Sequence, residues 1–156
     1  MQLEIRQMSD GDAARIAAWR YDPPYDFYNA DADADDLALL LSAEHREGTS
    51  FSAFDTLELV GFYAFRQAGD DIVFGLGLSP DLTGRGLGLP FLRAGLEFAR
   101  TRFAPRRFRL FVAAFNERAM RVYMRAGFVP VRLFDHEANG GVHPFVEMTL
   151  TNEAPD

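Results

Sequence analysis

A chain of 156 residues with 48% hydrophobic side chains has the size of one domain and enough apolar material for a sizeable core. Its formal charge of −7 excludes the basic stripe that a phosphate-tracking nucleic-acid surface needs, and no apolar run approaches the roughly 20 residues of a membrane-spanning helix. Without cysteine there is no disulfide framework, no thiolate metal site and no acyl-cysteine intermediate.

Leu3, Ile5 and Gln7 alternate as a first strand; lacking the basic flank and apolar stretch of a secretory signal, this start points to a cytoplasmic location. Ser9-Asp10-Gly11-Asp12 supplies a cap for a short helix through Ala13, Ile16 and Ala17. The stretch from Trp19 to Tyr28 holds Pro23 and Pro24, which exclude a regular helix, and so many aromatic residues that it must pack against something. Acidic residues between Asp31 and Asp36 favour the start of a second helix over 35–44, with Leu37, Leu40 and Leu41 facing inward.

From Ser50 the period changes to that of strands. Segments near 51–54, 57–65 and 71–78, separated by Asp55-Thr56 and Ala68-Gly69-Asp70, fit three antiparallel strands with tight turns. A helix follows, with Phe91, Leu92, Gly95, Leu96, Phe98 and Ala99 at three-and-four spacing and Pro90 in its first turn. Then come a strand over 108–113, a helix over 116–126, and a closing pair at 129–133 and 145–150. His136, Asn139-Gly140-Gly141 and His143 read as a loop between them, and two histidines at that spacing are too few for a metal site, so no metal is expected. The whole is a single domain over 1–156, with no repeat or linker.

Between the fourth strand and its helix lies Thr83-Gly84-Arg85-Gly86-Leu87-Gly88. Alternate glycines let backbone N–H groups point inward, and the helix dipole adds positive character at the same place, which makes a pyrophosphate cradle. A phosphate-binding P-loop would need Gly-Lys followed by Ser or Thr, and a dinucleotide fingerprint would need Gly where Leu89 stands. The segment resembles motif A of the GNAT (GCN5-related) N-acetyltransferase superfamily, whose last two glycine positions fall on Gly86 and Gly88. Thr83 stands where the family carries Gln or Arg, and Arg85 supplies a cation nearby.

A second motif, Asn116-Glu117-Arg118-Ala119-Met120-Arg121-Val122-Tyr123 with Gly127-Phe128 after it, caps and ends a helix sharply and sets Asn116, Ala119 and Tyr123 on one face. This is similar to GNAT motif B. The resemblance implies an α+β (mixed α/β) fold, with a central mixed, largely antiparallel sheet flanked by helices. It also implies a parallel pair, near 72–78 and 108–113, that splays apart to hold pantetheine. Acetyl-CoA is then the cosubstrate, bound by Leu76, Gly77, Leu78, the turn from Thr83 to Gly88, Asn116, Ala119 and Tyr123. Tyr123 would be the general acid for the departing thiolate, and the backbone of 76–78 would polarise the thioester carbonyl. Gly75 and Gly77 are consistent with a bulge that opens the gap.

The expected reaction is direct transfer of acetyl to a primary amine, of a small molecule or a peptide N-terminus, in a ternary complex. The bulged strand reads Phe74-Gly75-Leu76, so the carboxylate many family members carry there is missing. Glu58 is the candidate base, with Glu147 or a water chain as substitutes. Tyr21, Tyr25, Phe27 and Tyr28, with Asp22 and Asp26, would form an aromatic and acidic acceptor wall suited to a cation. No nucleic acid or membrane partner is expected, and a homodimer is allowed. The alternative reading is a non-catalytic acetyl-CoA-binding sensor of the same fold.

Overall fold

The computed structural model describes residues 2–152. Its strands are β1 (Leu3–Gln7), β2 (Ser50–Asp55), β3 (Glu58–Ala68), β4 (Asp71–Leu78), β5 (Arg107–Ala113), β6 (Val129–Ala138) and β7 (Gly141–Thr151). The helices are α1 (Asp10–Ala17), α2 (Ala34–Leu40), α3 (Ala43–Arg46), α4 (Gly88–Phe103) and α5 (Glu117–Arg125). One sheet runs in the order β1-β2-β3-β4-β5-β7-β6; every neighbouring pair is antiparallel except β4 with β5. The fold is thus α+β, as the two motifs imply. No helix of the described residues is long and apolar enough to cross a membrane.

Local chemistry sets the helix ends. The Ser9 hydroxyl accepts from Asp12 N while the Asp12 carboxylate reaches back to Ser9 N, a reciprocal cap that starts α1. Asp33 caps α2 through Asp35 N and Asp36 N. The helix expected over 35–44 divides, because Ser42 accepts from His45 N and so starts a separate turn, α3, after α2 has closed at Leu41. Leu40 packs inward against the smaller cluster beside α1, whereas Leu41 lies on the surface, contrary to the sequence expectation.

The closing hairpin is longer than expected. Asn139 and Gly140 both take left-handed φ, 54° and 74°, the two-residue turn whose twist matches the flanking strands. Pairing therefore continues to Ala138↔Gly141, and His136 and His143 are cross-strand partners instead of loop residues. No bulge interrupts β4, whose register against β3 is continuous from Gly61↔Leu78 to Ala68↔Asp71. Gly77 answers a packing need instead: a Cβ there would stand 2.5 Å from the Phe62 ring.

The main core lies between the sheet and α4. Tyr63 stacks on Phe91 at 4.5 Å and on Phe65 and Phe74, and its hydroxyl donates to Phe91 O. Gly95 lets α4 approach this layer, since a Cβ at that position would meet Tyr63 Cε1 at 2.4 Å. That contact fixes the start of α4 relative to the end of β4, where the site lies.

Candidate active site

The two parallel strands are hydrogen-bonded only over Asp71–Val73 and Arg107–Arg109. Beyond that point β4 stays with β3 as far as Leu78 and β5 with β7 as far as Ala113. The inner edges of 74–78 and 110–113 face each other without a ladder, so their N–H and C=O groups need partners other than one another. An ion pair between Arg107 and Asp71, 2.8 Å, closes the narrow end of the wedge. A surface concavity of roughly 890 Å³ lies elsewhere, between the β3–β4 turn and Asn152.

At the open end of β4 the chain makes one turn of 3-10 helix over Pro80–Leu82 and enters the glycine turn. Thr83 Oγ1 donates back to Pro80 O, so this hydroxyl braces the turn. Gly84 and Gly86 both adopt φ of 74°, a conformation that a side chain would strain. Helix α4 begins at Gly88 with no side-chain cap and no carboxylate in its first turn. Its free N–H groups and positive dipole end fit an anionic ligand, and the donor set suits a diphosphate.

Helix α5 closes the other side. Val122 is 3.4 Å from where a Cβ of Gly88 would sit. Asn116 is buried; its Oδ1 accepts from Ala119 N as the helix cap, and its Nδ2 donates to Tyr28 Oη at 3.1 Å. Tyr123, seven residues on, packs with Ala119 against the main core. Burial, with a smaller contribution from Tyr28, pushes its phenol above the ordinary tyrosine value. The proton is thus retained throughout the neutral range.

The aromatic segment is draped over this cleft. Tyr21 Oη donates to Leu78 O at 2.6 Å. Tyr25 lies under the guanidinium of Arg118, 4.0 Å from ring centre to Cζ, and Tyr28 meets Asn116. Phe27 packs edge-on against Phe115 and His143, with Phe145 beyond. Arg118 is the residue that sequence reasoning passed over. Its Nη1 would stand 4.0 Å from a Cβ at Gly84, a proximity created by α4–α5 packing. The available signal was its place in the first turn of α5, two residues after Asn116.

Burial raises the Tyr21 phenol from 10.0 to about 12. Below pH 10 both folded and unfolded chains keep this proton. Between pH 10 and about 12 only the unfolded chain releases it, so stability falls as pH rises through that window. Denaturant midpoints should drop from pH 10 to pH 12, and Tyr21→Phe should shrink the drop; an unchanged slope refutes the assignment to Tyr21.

Comparison with known proteins decides the family. A family model described as an acetyltransferase (GNAT) domain matches residues 2–129. The chain belongs to the GNAT acetyltransferase family. It is accordingly an acetyl-CoA-dependent N-acetyltransferase. No curated protein matches this GNAT chain by sequence. Among solved structures, a spermidine N-acetyltransferase from Vibrio cholerae in complex with CoA and spermine is similar at 20% identity and TM-score 0.76, over 96% of this chain and 95% of that one. A chimera of the Vibrio cholerae enzyme and hSSAT gives 20% identity and TM-score 0.78, over 97% and 96%. A GNAT-family acetyltransferase from Bacillus anthracis gives 14% identity and TM-score 0.74, over 97% and 95%. At these identities the likeness shows the fold.

The sequence offers two carboxylates, Glu58 and Glu147, as candidates for proton removal. Glu58 opens β3 in the hairpin opposite Asp55 and is exposed, three residues before Gly61, the β3 partner of Leu78. Glu147 is buried on β7, opposite Phe111, a residue of β5 beyond the last β4–β5 pair. Its Oε1 accepts from Arg109 Nη2 at 3.4 Å and from Arg132 Nε at 3.2 Å, contacts that fix the side chain. The sheet face carrying Glu147 continues through Phe145 to His136, 4.9 Å between rings. Asp33 and Asp36 lie beside His136. Asp33 is held below the usual carboxylate range by the Asn139 N–H, whereas burial and then Asp33 push Asp36 up.

Proposed function

We propose that the protein transfers acetyl from acetyl-CoA directly to a primary amine of a small, multiply cationic acceptor of the polyamine class, within a ternary complex. The observation that carries this is the unpaired wedge between β4 and β5, which opens on one side to the glycine cradle and α5 and on the other to the aromatic and acidic face. Residues 83–88 would hold the diphosphate, and the wedge edges would bind the pantetheine amides. The cosubstrate supplies an activated acetyl thioester; everything else falls to the chain.

Tyr123 donates a proton to the departing sulfur. The backbone of Leu76–Leu78 steadies charge on the carbonyl oxygen. Leu78 O already accepts from Tyr21, so the acceptor wall and this strand edge are joined. Phe27, Phe145 and His136 form an aromatic path for an alkylammonium chain, ending at Asp33 and Asp36, where a second ammonium gains opposite charge. The spermidine specificity named for two of the similar structures, and the net charge of −7, support the same class. Glu147, directly or through water, takes the amine proton in preference to Glu58.

A thiol-release assay with spermidine, spermine, putrescine, lysine, an aminoglycoside and a short peptide tests this reading. Polyamines should accelerate release of CoA most. Preference for the peptide or for lysine would overturn the acceptor class. Slow hydrolysis that no amine accelerates would favour the sensor reading, for which the lack of a carboxylate on Phe74-Gly75-Leu76 is the specific observation.

A further inference from the structure

Arg118 lies between the glycine turn and the Tyr25 ring. Its Nη1 points toward the glycine turn, within 4.0 Å of a Cβ position at Gly84, and its plane covers the Tyr25 ring at 4.0 Å. A guanidinium can use its face for an aromatic ring and its edge N–H groups for oxygen anions at the same time, which a lysine cannot. Among the described residues Arg118 takes part in no ion pair and no carboxylate neutralises it. The other end of its contact, the 21–28 segment, is tied at Leu78 by Tyr21 and at Asn116 by Tyr28. Phe27 lies between those ties and forms the acceptor wall against His143.

We propose that Arg118 grips the cosubstrate's diphosphate and, through its stack on Tyr25, makes completion of the acceptor wall follow cosubstrate binding. This rests on the acetyl-CoA reading above and extends it to binding order. An oxygen anion at the glycine turn fixes the Arg118 edge; the fixed guanidinium holds Tyr25; and Tyr25 holds the segment that carries Phe27. Because such coupling is reciprocal, a bound amine also tightens the hold on the cosubstrate.

Calorimetry with CoA and with 3′-dephospho-CoA, which keeps the diphosphate, separates the outcomes. Arg118→Gln should weaken both ligands by about tenfold, the scale of a lost charge-assisted contact, and Arg118→Lys should recover part of the loss. At saturating acetyl-CoA the KM for spermidine should rise several-fold in Arg118→Gln and in Tyr25→Leu, with Arg118→Lys between Arg118→Gln and wild type. Unchanged affinity in Arg118→Gln, a loss confined to CoA, or equal loss in the Gln and Lys variants overturns the diphosphate role. An unchanged spermidine KM overturns the coupling. Failure of the wild-type protein to bind CoA at all would instead sink the acetyl-CoA reading itself.

Discussion

Replacing Tyr123 by Phe should lower kcat about 100-fold while the affinity for acetyl-CoA stays within about a factor of two, the signature of a group used only as the reaction proceeds. The ring packs with Ala119 against the main core, and Phe reproduces that packing, so α5 and its Asn116 cap should survive the change. Only the hydroxyl is removed. Burial holds its proton well above the ordinary tyrosine value, so the acid is present across the whole neutral range. A proton donor beside the departing thiolate assists its expulsion and traps it as the thiol, and the chain has no cysteine and no ammonium side chain from lysine to serve in place of Tyr123. The wild-type kcat profile should therefore show no falling limb between pH 7 and pH 9 that Tyr123→Phe abolishes. Steady-state turnover with the best amine, measured beside calorimetry, checks both halves; equal kcat in wild type and variant removes Tyr123 from the mechanism.

What could be read beforehand divides along the range of the interactions involved. The glycine turn and α5 are local: alternate glycines, an Asn cap and a Gly-Phe ending sit within 13 residues or fewer, and sequence spacing reports them faithfully. The start of α4 at Gly88 and the inward side of that helix were legible for the same reason, because helical period and burial coincide at Phe91, Leu92, Gly95, Leu96 and Ala99. Strand ends were less so. The turn at Asn139-Gly140 carries its own signal, yet the pairing of His136 with His143 depends on two strands meeting, and polar residues between them masked the alternation. The division of the second helix turned on one hydroxyl, Ser42, that competes with a continuing helix.

The site shows the same limit more sharply. Nothing near Glu147 in sequence distinguishes it from Glu58; what separates them is burial, since Glu147 is buried on β7 opposite Phe111 of β5, whereas Glu58 is exposed at the start of β3, beside β4. Arg118 likewise acquires meaning only from Gly84 and Tyr25, which are 34 and 93 residues distant in the chain. Gly75 and Gly77 suggested a bulge in the sequence, but β4 is regular: Gly77 answers to cross-strand crowding by Phe62, while a Cβ at Gly75 would meet only ordinary contacts.

The cradle can be tested by one charge. Gly86 is exposed, takes φ of 74°, and a Cβ at that position would meet nothing within 4 Å, so both Asn and Asp, which tolerate left-handed backbone, can be placed there without a clash. Gly86→Asn measures the cost of the backbone preference and of a neutral side chain; acetyl-CoA affinity should fall only a few-fold. Gly86→Asp adds a negative charge two residues ahead of the uncapped start of α4. In the free protein that carboxylate meets the positive end of the helix dipole, so the melting temperature should be no lower than that of Gly86→Asn. In the complex it faces the diphosphate, and a like charge at close range, even screened by solvent, should weaken binding by about 30-fold relative to the Asn variant. The loss should shrink as salt rises from about 0.05 to about 0.5 M, because screening shortens the reach of the repulsion. Calorimetric titration of the two variants at both salt concentrations gives the answer: equal affinities for Asn and Asp would mean that no phosphate approaches the 84–88 turn, and the acetyl donor would have to bind elsewhere.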